Sequence, residues 1–118
     1  MRRLSPDVRS DEIESEVLVE EGGMVLVRHR IPAGFDSSRL YRGLPADMCP
    51  CEHWCYLARG ELRYRFADGG EPVAFGAGEA FHVRGGHLAD ALADAELIEL
   101  TRAGEYSRKA EHLARPDR

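Results

Sequence analysis

The sequence predicts an all-β protein, either a sandwich or a barrel. Short apolar runs recur at the spacing expected for strands, and turns containing glycine or proline separate them. In the clearest hairpin signal, three apolar residues alternate with charged residues and a glycine turn follows. The three residues are Leu62, Tyr64 and Phe66, and the turn is Asp68-Gly69-Gly70. Only the tail, from Glu105 to Leu113, has helical character.

The strand signals follow one another along the chain from Val17. They comprise Val17–Val19, Met24–Val27, Cys51–Leu57, Gly60–Phe66, Val73–Phe75, Ala80–Val83 and Ala95–Leu100. The segment from Phe35 to Met48 has neither helical nor strand periodicity. Before the first strand, Pro6 stands at a suitable first position for a short helical turn.

Length and charge limit the classes of function. At 118 residues the chain corresponds to one domain. The 21 acidic and 16 basic residues give a net charge of -5, which disfavours nucleic acid and anionic membrane surfaces as partners. No apolar run approaches the roughly 20 residues that span a bilayer, and no secretory signal follows Met1. Since an odd number of cysteines cannot all pair within the chain, we expect a reducing, cytoplasmic location.

Two sequence segments resemble the cupin family, over about residues 22–101. The first is Tyr56-Leu57-Ala58-Arg59-Gly60-Glu61-Leu62. The second runs from Phe75 to His87 and reads FGAGEAFHVRGGH. The resemblance implies a small jelly-roll barrel whose lumen holds a metal or a ligand. It divides the chain into an N-terminal arm (1–16), a cupin barrel (17–104) and a C-terminal tail (105–118).

The first cupin motif departs from the family pattern of two histidines, an acidic residue and a glycine. Counting back from Gly60, the acidic position is occupied by His53. The two histidine positions fall on Asp47 and Cys49. The resemblance therefore implies that the usual set of three histidines and one glutamate is absent.

The second motif departs in a similar way. Its proline position is Arg84, its glycine is Gly86, and its usual histidine position falls on Ala89, with His87 two residues earlier. The chain is most similar to a subgroup of small cupins of unsettled activity. The residues that match this subgroup in order are Cys49, His53, Tyr56, Gly60, Gly86 and His87.

Strand geometry gives an independent prediction about the cysteines. Side chains two residues apart point to the same face of a strand, so one face would carry three thiols and an imidazole. These residues are Cys49, Cys51, His53 and Cys55. The opposite face would carry Glu52, Trp54 and Tyr56. The resemblance places the first face in the lumen, with an apolar wall that includes Leu57, Leu62, Tyr64 and Phe66.

Thiolates and imidazoles are ligands of zinc, iron, copper and nickel. The candidate ligands are Cys49, Cys51 and His53, with His82 or His87 as the fourth. The alternative is that the cysteines are small apolar filling. His82 faces either the lumen or solvent, and His87 lies at the mouth of the barrel as a functional group or a turn residue. His29, between Arg28 and Arg30, is expected on a solvated face.

The leading hypothesis is a small organic ligand bound in the lumen. Its contacts would be Cys49, Cys51, His53, Cys55, Tyr64, His82 and His87. The alternative is a metal-dependent enzyme, an oxygenase, isomerase or cyclase, with Cys49, Cys51, His53 and His87 as ligands. A third hypothesis is an interaction module that presents Trp54 and Tyr56. The same two residues predict a homodimer formed through a sheet face.

Overall fold

In the computed structural model, the described residues are 2–3 and 13–114. The helical turn predicted at Pro6 lies outside them. The described strands are β1 (Arg2–Arg3), β2 (Glu14–Glu21), β3 (Met24–Ile31), β4 (His53–Phe66), β5 (Val73–Gly76), β6 (Ala80–Val83) and β7 (His87–Arg102). Helix α1 is Ala103–Leu113, and short 3₁₀ helices occupy Ser37–Arg39 and Pro45–Asp47. The all-β prediction and the helical tail are confirmed.

The described strands form one antiparallel sheet in the order β1-β2-β3-β7-β4-β5, and β6 pairs with β4. The long strands β4 and β7 pair along most of their length, from Trp54 opposite Leu100 to Phe66 opposite His87. Strand β6 pairs with the other edge of the first half of β4. The sheet therefore curls around the inner face of β4. No helix in the described part of the chain is long and apolar enough to span a membrane.

A bulge at Gly60 reverses which residues of β4 point inward. Before it, Cys55 and Leu57 are buried, whereas after it Leu62 and Tyr64 are buried. The pairing register with β7 shifts between Leu57 and Leu62. Gly60 has φ +88°, and a Cβ there would lie 2.2 Å from the carbonyl oxygen of Asp94, so only glycine fits. The bulge explains why both halves of the strand contribute to one core.

The alternation predicted around the cysteines is confirmed as a pattern of burial. Cys49, Cys51 and His53 are each 1% exposed and Cys55 is 6% exposed, whereas Tyr56 is 47% exposed. The strand itself begins only at His53. Cys49 instead forms an isolated bridge with His87.

Candidate metal centre

Three buried side chains converge in the structure, and we call them the triad: Cys49, His53 and His87. One potential ligand atom from each lies within 4.8 Å of the other two. Cys49 Sγ is 3.7 Å from His53 Nε2. The two imidazole rings meet edge to face with centroids 5.1 Å apart. A soft sulfur ligand and two nitrogen ligands therefore share one small volume.

Backbone pairing places two members of the triad side by side. The N–H of Cys49 donates to the carbonyl of His87 at 2.9 Å, and the N–H of His87 donates to the carbonyl of Cys49 at 3.1 Å. Gly86 also donates to the Cys49 carbonyl, at 2.8 Å. This approach requires Gly85, because a Cβ there would lie 2.3 Å from the Pro50 carbonyl oxygen. The Gly85-Gly86 turn thus has a structural role in forming the triad.

Hydrogen bonds on the far side of each ring orient the histidines. His87 Nδ1 lies 2.8 Å from the carbonyl oxygen of Arg84. A carbonyl can only accept, so Nδ1 carries the proton and the neutral ring keeps a free electron pair on Nε2. His53 Nδ1 lies 2.7 Å from Thr101 Oγ1. Such outer contacts are typical of metal-binding histidines.

The thiol of Cys49 has a pKa well below its usual value. A hydrogen bond with Cys51 is the largest cause; burial opposes it, and Lys109, His53 and His87 add to the lowering. The pKa of Cys51 is raised by that same hydrogen bond and by burial. Burial, with the nearby Glu99, also raises the pKa of Cys55. Cys49 is therefore the cysteine that provides a thiolate, the form that binds metals.

Beside the triad, Glu99 begins a hydrogen-bonded chain that the sequence analysis missed. Glu99 Oε1 accepts from His29 Nε2 at 2.8 Å, and His29 Nδ1 accepts from Ser15 Oγ at 2.6 Å. The other oxygen, Oε2, is 3.6 Å from His53 Nε2. Burial alone would raise the pKa of Glu99, but attraction to His53 and His29 and the His29 hydrogen bond lower it overall. The prediction that His29 is solvated is wrong, since it is 5% exposed.

Alternation could have revealed both missed residues. His29 shares parity with the buried Val27 and Ile31, and Glu99 shares parity with the buried Leu97 and Thr101. A polar residue on an otherwise apolar strand face was the available signal. For His29, the charged neighbours Arg28 and Arg30 concealed that signal.

The remaining predicted contacts divide into inward and outward groups. Tyr64 is buried and meets the His87 ring edge to face at 5.6 Å. Cys51 is buried beside the triad, and its Sγ also lies 3.6 Å from the backbone carbonyl oxygen of Glu105 in α1. His82 is on the outer surface, where it pairs with Glu52 at 2.6 Å. His82 therefore lies away from the lumen and cannot complete the ligand set predicted with it.

A cavity of about 50 Å³ adjoins the triad. It is lined by both triad histidines, and its other polar lining residues include Ser37, Tyr41, Tyr64, Glu99 and Lys109. A water molecule needs on the order of 10–15 Å³, so about three to five water-sized groups fit. The cavity is much smaller than the roughly 300 Å³ at which ordinary small-molecule pockets begin.

Several solved structures are similar to this architecture, whereas the sequence comparisons found no match. No family model matches the chain, and no curated protein matches it. Among solved structures, ectoine synthase from P. lautus gives a TM-score of 0.63 at 16% identity, covering 87% of this chain and 75% of that one. An RmlC-like cupin from Shewanella frigidimarina gives 0.60 at 18% identity, covering 80% and 78% respectively. The polyketide cyclase RemF from Streptomyces resistomycificus gives 0.60 at 14% identity, covering 87% and 73%.

The chain therefore has the cupin fold. The resemblance seen in the sequence is confirmed at the level of fold. In addition, the buried Cys49, His53 and His87 form a cluster of a kind that could hold a metal ion.

Proposed function

We propose that the protein binds one divalent first-row metal ion through Cys49, His53 and His87 and acts as an enzyme on a small substrate in the adjoining cavity. The observation that carries this proposal is the convergence of three ligand atoms within 4.8 Å at a buried position. A thiolate with two imidazoles suits zinc, iron, copper or nickel.

The spacing between the Cys49 and His53 donor atoms fits such an ion. A tetrahedral ion about 2.3 Å from sulfur and about 2.1 Å from nitrogen separates those two atoms by about 3.6 Å. The observed distance from Cys49 Sγ to His53 Nε2 is 3.7 Å. The lowered pKa of Cys49 and the Nδ1 proton of His87 also suit these residues for binding a cation. Among the residues that the structure describes, three ligands converge, so a fourth position would be free for a substrate, as in catalytic sites.

A bound ion would polarise a substrate oxygen or acidify a bound water. The chain's own residues would do the rest. Glu99 lines the same cavity, and its carboxylate, whose pKa is lowered, would stay ionised and place a negative charge beside the ion. His29 holds that carboxylate in place through the hydrogen bond at 2.8 Å.

The size of the cavity also favours this proposal over the leading hypothesis of an organic ligand held by the lumen alone. About 50 Å³ accommodates only a few heavy atoms. A ligand that small gains little from apolar contact, so a metal or a charge must supply most of its affinity. Two of the similar structures are named as enzymes, ectoine synthase and a polyketide cyclase. They support an enzymatic use of the fold without indicating this chain's substrate.

Metal stoichiometry tests the proposal. Protein purified without chelators, and protein reconstituted with Zn²⁺ after chelation, should each contain about one metal ion per chain by elemental analysis. His53→Ala and His87→Ala should reduce this to a trace, with far-UV circular dichroism confirming that the variants fold. His82→Ala removes an exposed histidine of the neighbouring strand and should retain the metal. A metal-free reconstituted wild type, or equal metal in all variants, would overturn the proposal.

A further inference from the structure

A buried lysine faces the same cavity from the C-terminal helix. Lys109 is 4% exposed and lies on the inner face of α1 with Tyr106 and Leu113. It lines the cavity together with Glu99 and Tyr41. Lysine is rarely buried to this extent unless a negative partner accompanies it.

Within residues 13–114, the ammonium of Lys109 has neither a hydrogen bond nor an ion pair within 4.0 Å. Lys109 Nζ lies 5.5 Å from the centroid of the Tyr106 ring. Burial lowers the pKa of Lys109, but its electrostatic interactions with Tyr41, Cys49 and Glu99 outweigh burial and keep the pKa above its usual value. A buried cation without a direct partner is costly, and an anion bound in the cavity would remove that cost.

The cavity offers a second donor for such an anion. Ser37 is buried, and its Oγ accepts the backbone N–H of Ala89 at 2.8 Å. Its hydroxyl proton is left to donate elsewhere, and Ser37 lines the cavity. A planar carboxylate can accept one hydrogen bond from an ammonium and another from a hydroxyl.

We propose that this cavity binds a carboxylate of about one to three carbons, with Lys109 and Ser37 on the carboxylate and the rest of the molecule towards the triad. This inference rests on the proposed function and names its substrate class.

Calorimetric titration with acetate tests the site without relying on activity. The wild type should bind acetate, and Lys109→Met should bind it at least about tenfold more weakly, as expected for loss of a charge-assisted hydrogen bond. Arg108→Met is the matched control, because Arg108 is an exposed cation of the same helix and its removal should leave the affinity unchanged. Lys109→Gln provides a second variant with a polar side chain, and circular dichroism verifies folding of each.

Acetamide has the shape of acetate without its charge, so it should bind at least about tenfold more weakly to the wild type. Equal affinity for acetate and acetamide, or an acetate affinity unchanged by Lys109→Met, would overturn the carboxylate site. Equal competition by chloride would overturn its selectivity for a carboxylate.

Running the titrations with both zinc-loaded and chelated protein separates the two proposals. If the metal is absent but Lys109→Met abolishes acetate binding, the carboxylate site stands and the metal function fails. If zinc binds stoichiometrically but Lys109→Met has no effect, the metal function stands and the carboxylate site fails.

Discussion

Cys49 and His87 come from separate parts of the chain, yet two reciprocal backbone hydrogen bonds of 2.9 and 3.1 Å join them. Their side chains then share one buried cluster with His53. The position of the candidate ligands therefore depends on backbone pairing as well as on side-chain packing.

Gly85→Ala should disturb this pairing. The added Cβ would lie 2.3 Å from the Pro50 carbonyl oxygen, so the bridge must shift. We expect a loss of roughly 1–3 kcal/mol in the free energy of unfolding, together with weaker zinc binding. Urea denaturation and a zinc titration measure the two effects. Gly76→Ala, where the nearest atom would be 3.8 Å away, is the control and should change little. Equal behaviour of the two variants would contradict the role given to Gly85.

Thr101→Val should weaken metal binding without removing a ligand. The variant keeps the shape of the side chain but loses the hydroxyl 2.7 Å from His53 Nδ1. Loss of such an outer contact typically costs about 10–100-fold in metal affinity. Thr101→Ser retains the hydroxyl and should stay within a few-fold of the wild type. Competition with a chromophoric chelator measures the metal affinity of both variants. Equal affinities of Thr101→Val and Thr101→Ser for the metal would argue against the contact.

His29→Leu should destabilise the protein because it leaves a buried carboxylate without its donor. Glu99 is 6% exposed and accepts from His29 at 2.8 Å. We expect a loss of about 3 kcal/mol in the free energy of unfolding. Arg30→Leu removes a neighbouring charge whose partner Glu96 is 3.7 Å away at the surface. That control should cost less than about 0.5 kcal/mol. Comparable losses in both variants would contradict the role given to the buried hydrogen bond between His29 and Glu99.

The lowered pKa of Asp36 predicts a small dependence of the free energy of unfolding on pH. A hydrogen bond from the Ser38 backbone N–H, with a smaller contribution from Arg65, holds the pKa of Asp36 below the ordinary value of 3.8. Because the pKa of Asp36 is lower in the folded state, its ionised form stabilises the protein above the pKa of the unfolded state. This contribution is lost as the pH falls through the pKa of the folded state. The side chain is largely exposed, so the loss is under about 1 kcal/mol.

Asp36→Asn keeps an oxygen that can accept from Ser38 but does not titrate. Urea denaturation at about pH 6 and about pH 3 should show the wild type losing more stability than this variant. An identical loss in the two proteins would exclude the contribution of Asp36.

Local periodicity predicted the all-β class, and the resemblance of two motifs predicted the cupin fold. The resemblance also placed Cys49, Cys51, His53 and Cys55 inside, and all four are buried. Alternation by itself grouped them on one face. It could not show which of them meet, because that depends on the pairing of Cys49 with His87 and on the turn around Pro50. Cys51 therefore faces the helix backbone, whereas Cys49 joins the histidines.

The residues that the sequence analysis missed are charged or polar groups placed by tertiary structure. Lys109 lies on a helix that follows the barrel, and only the docking of that helix brings it to the cavity. Glu99 and His29 meet because β3 and β7 pair. The homodimer and the cytoplasmic location stay predictions; Trp54 and Tyr56 are exposed, as a sheet contact requires.

The absorption spectrum of the cobalt(II)-substituted protein tests the central claim most directly. Ligation by Cys49 predicts an intense near-ultraviolet thiolate-to-cobalt charge-transfer band that saturates at about one equivalent. The band should disappear in Cys49→Ser and persist in Cys55→Ser, which changes a buried cysteine outside the triad. A wild type without the band, or a band that survives in Cys49→Ser, would contradict a metal centre formed by Cys49, His53 and His87.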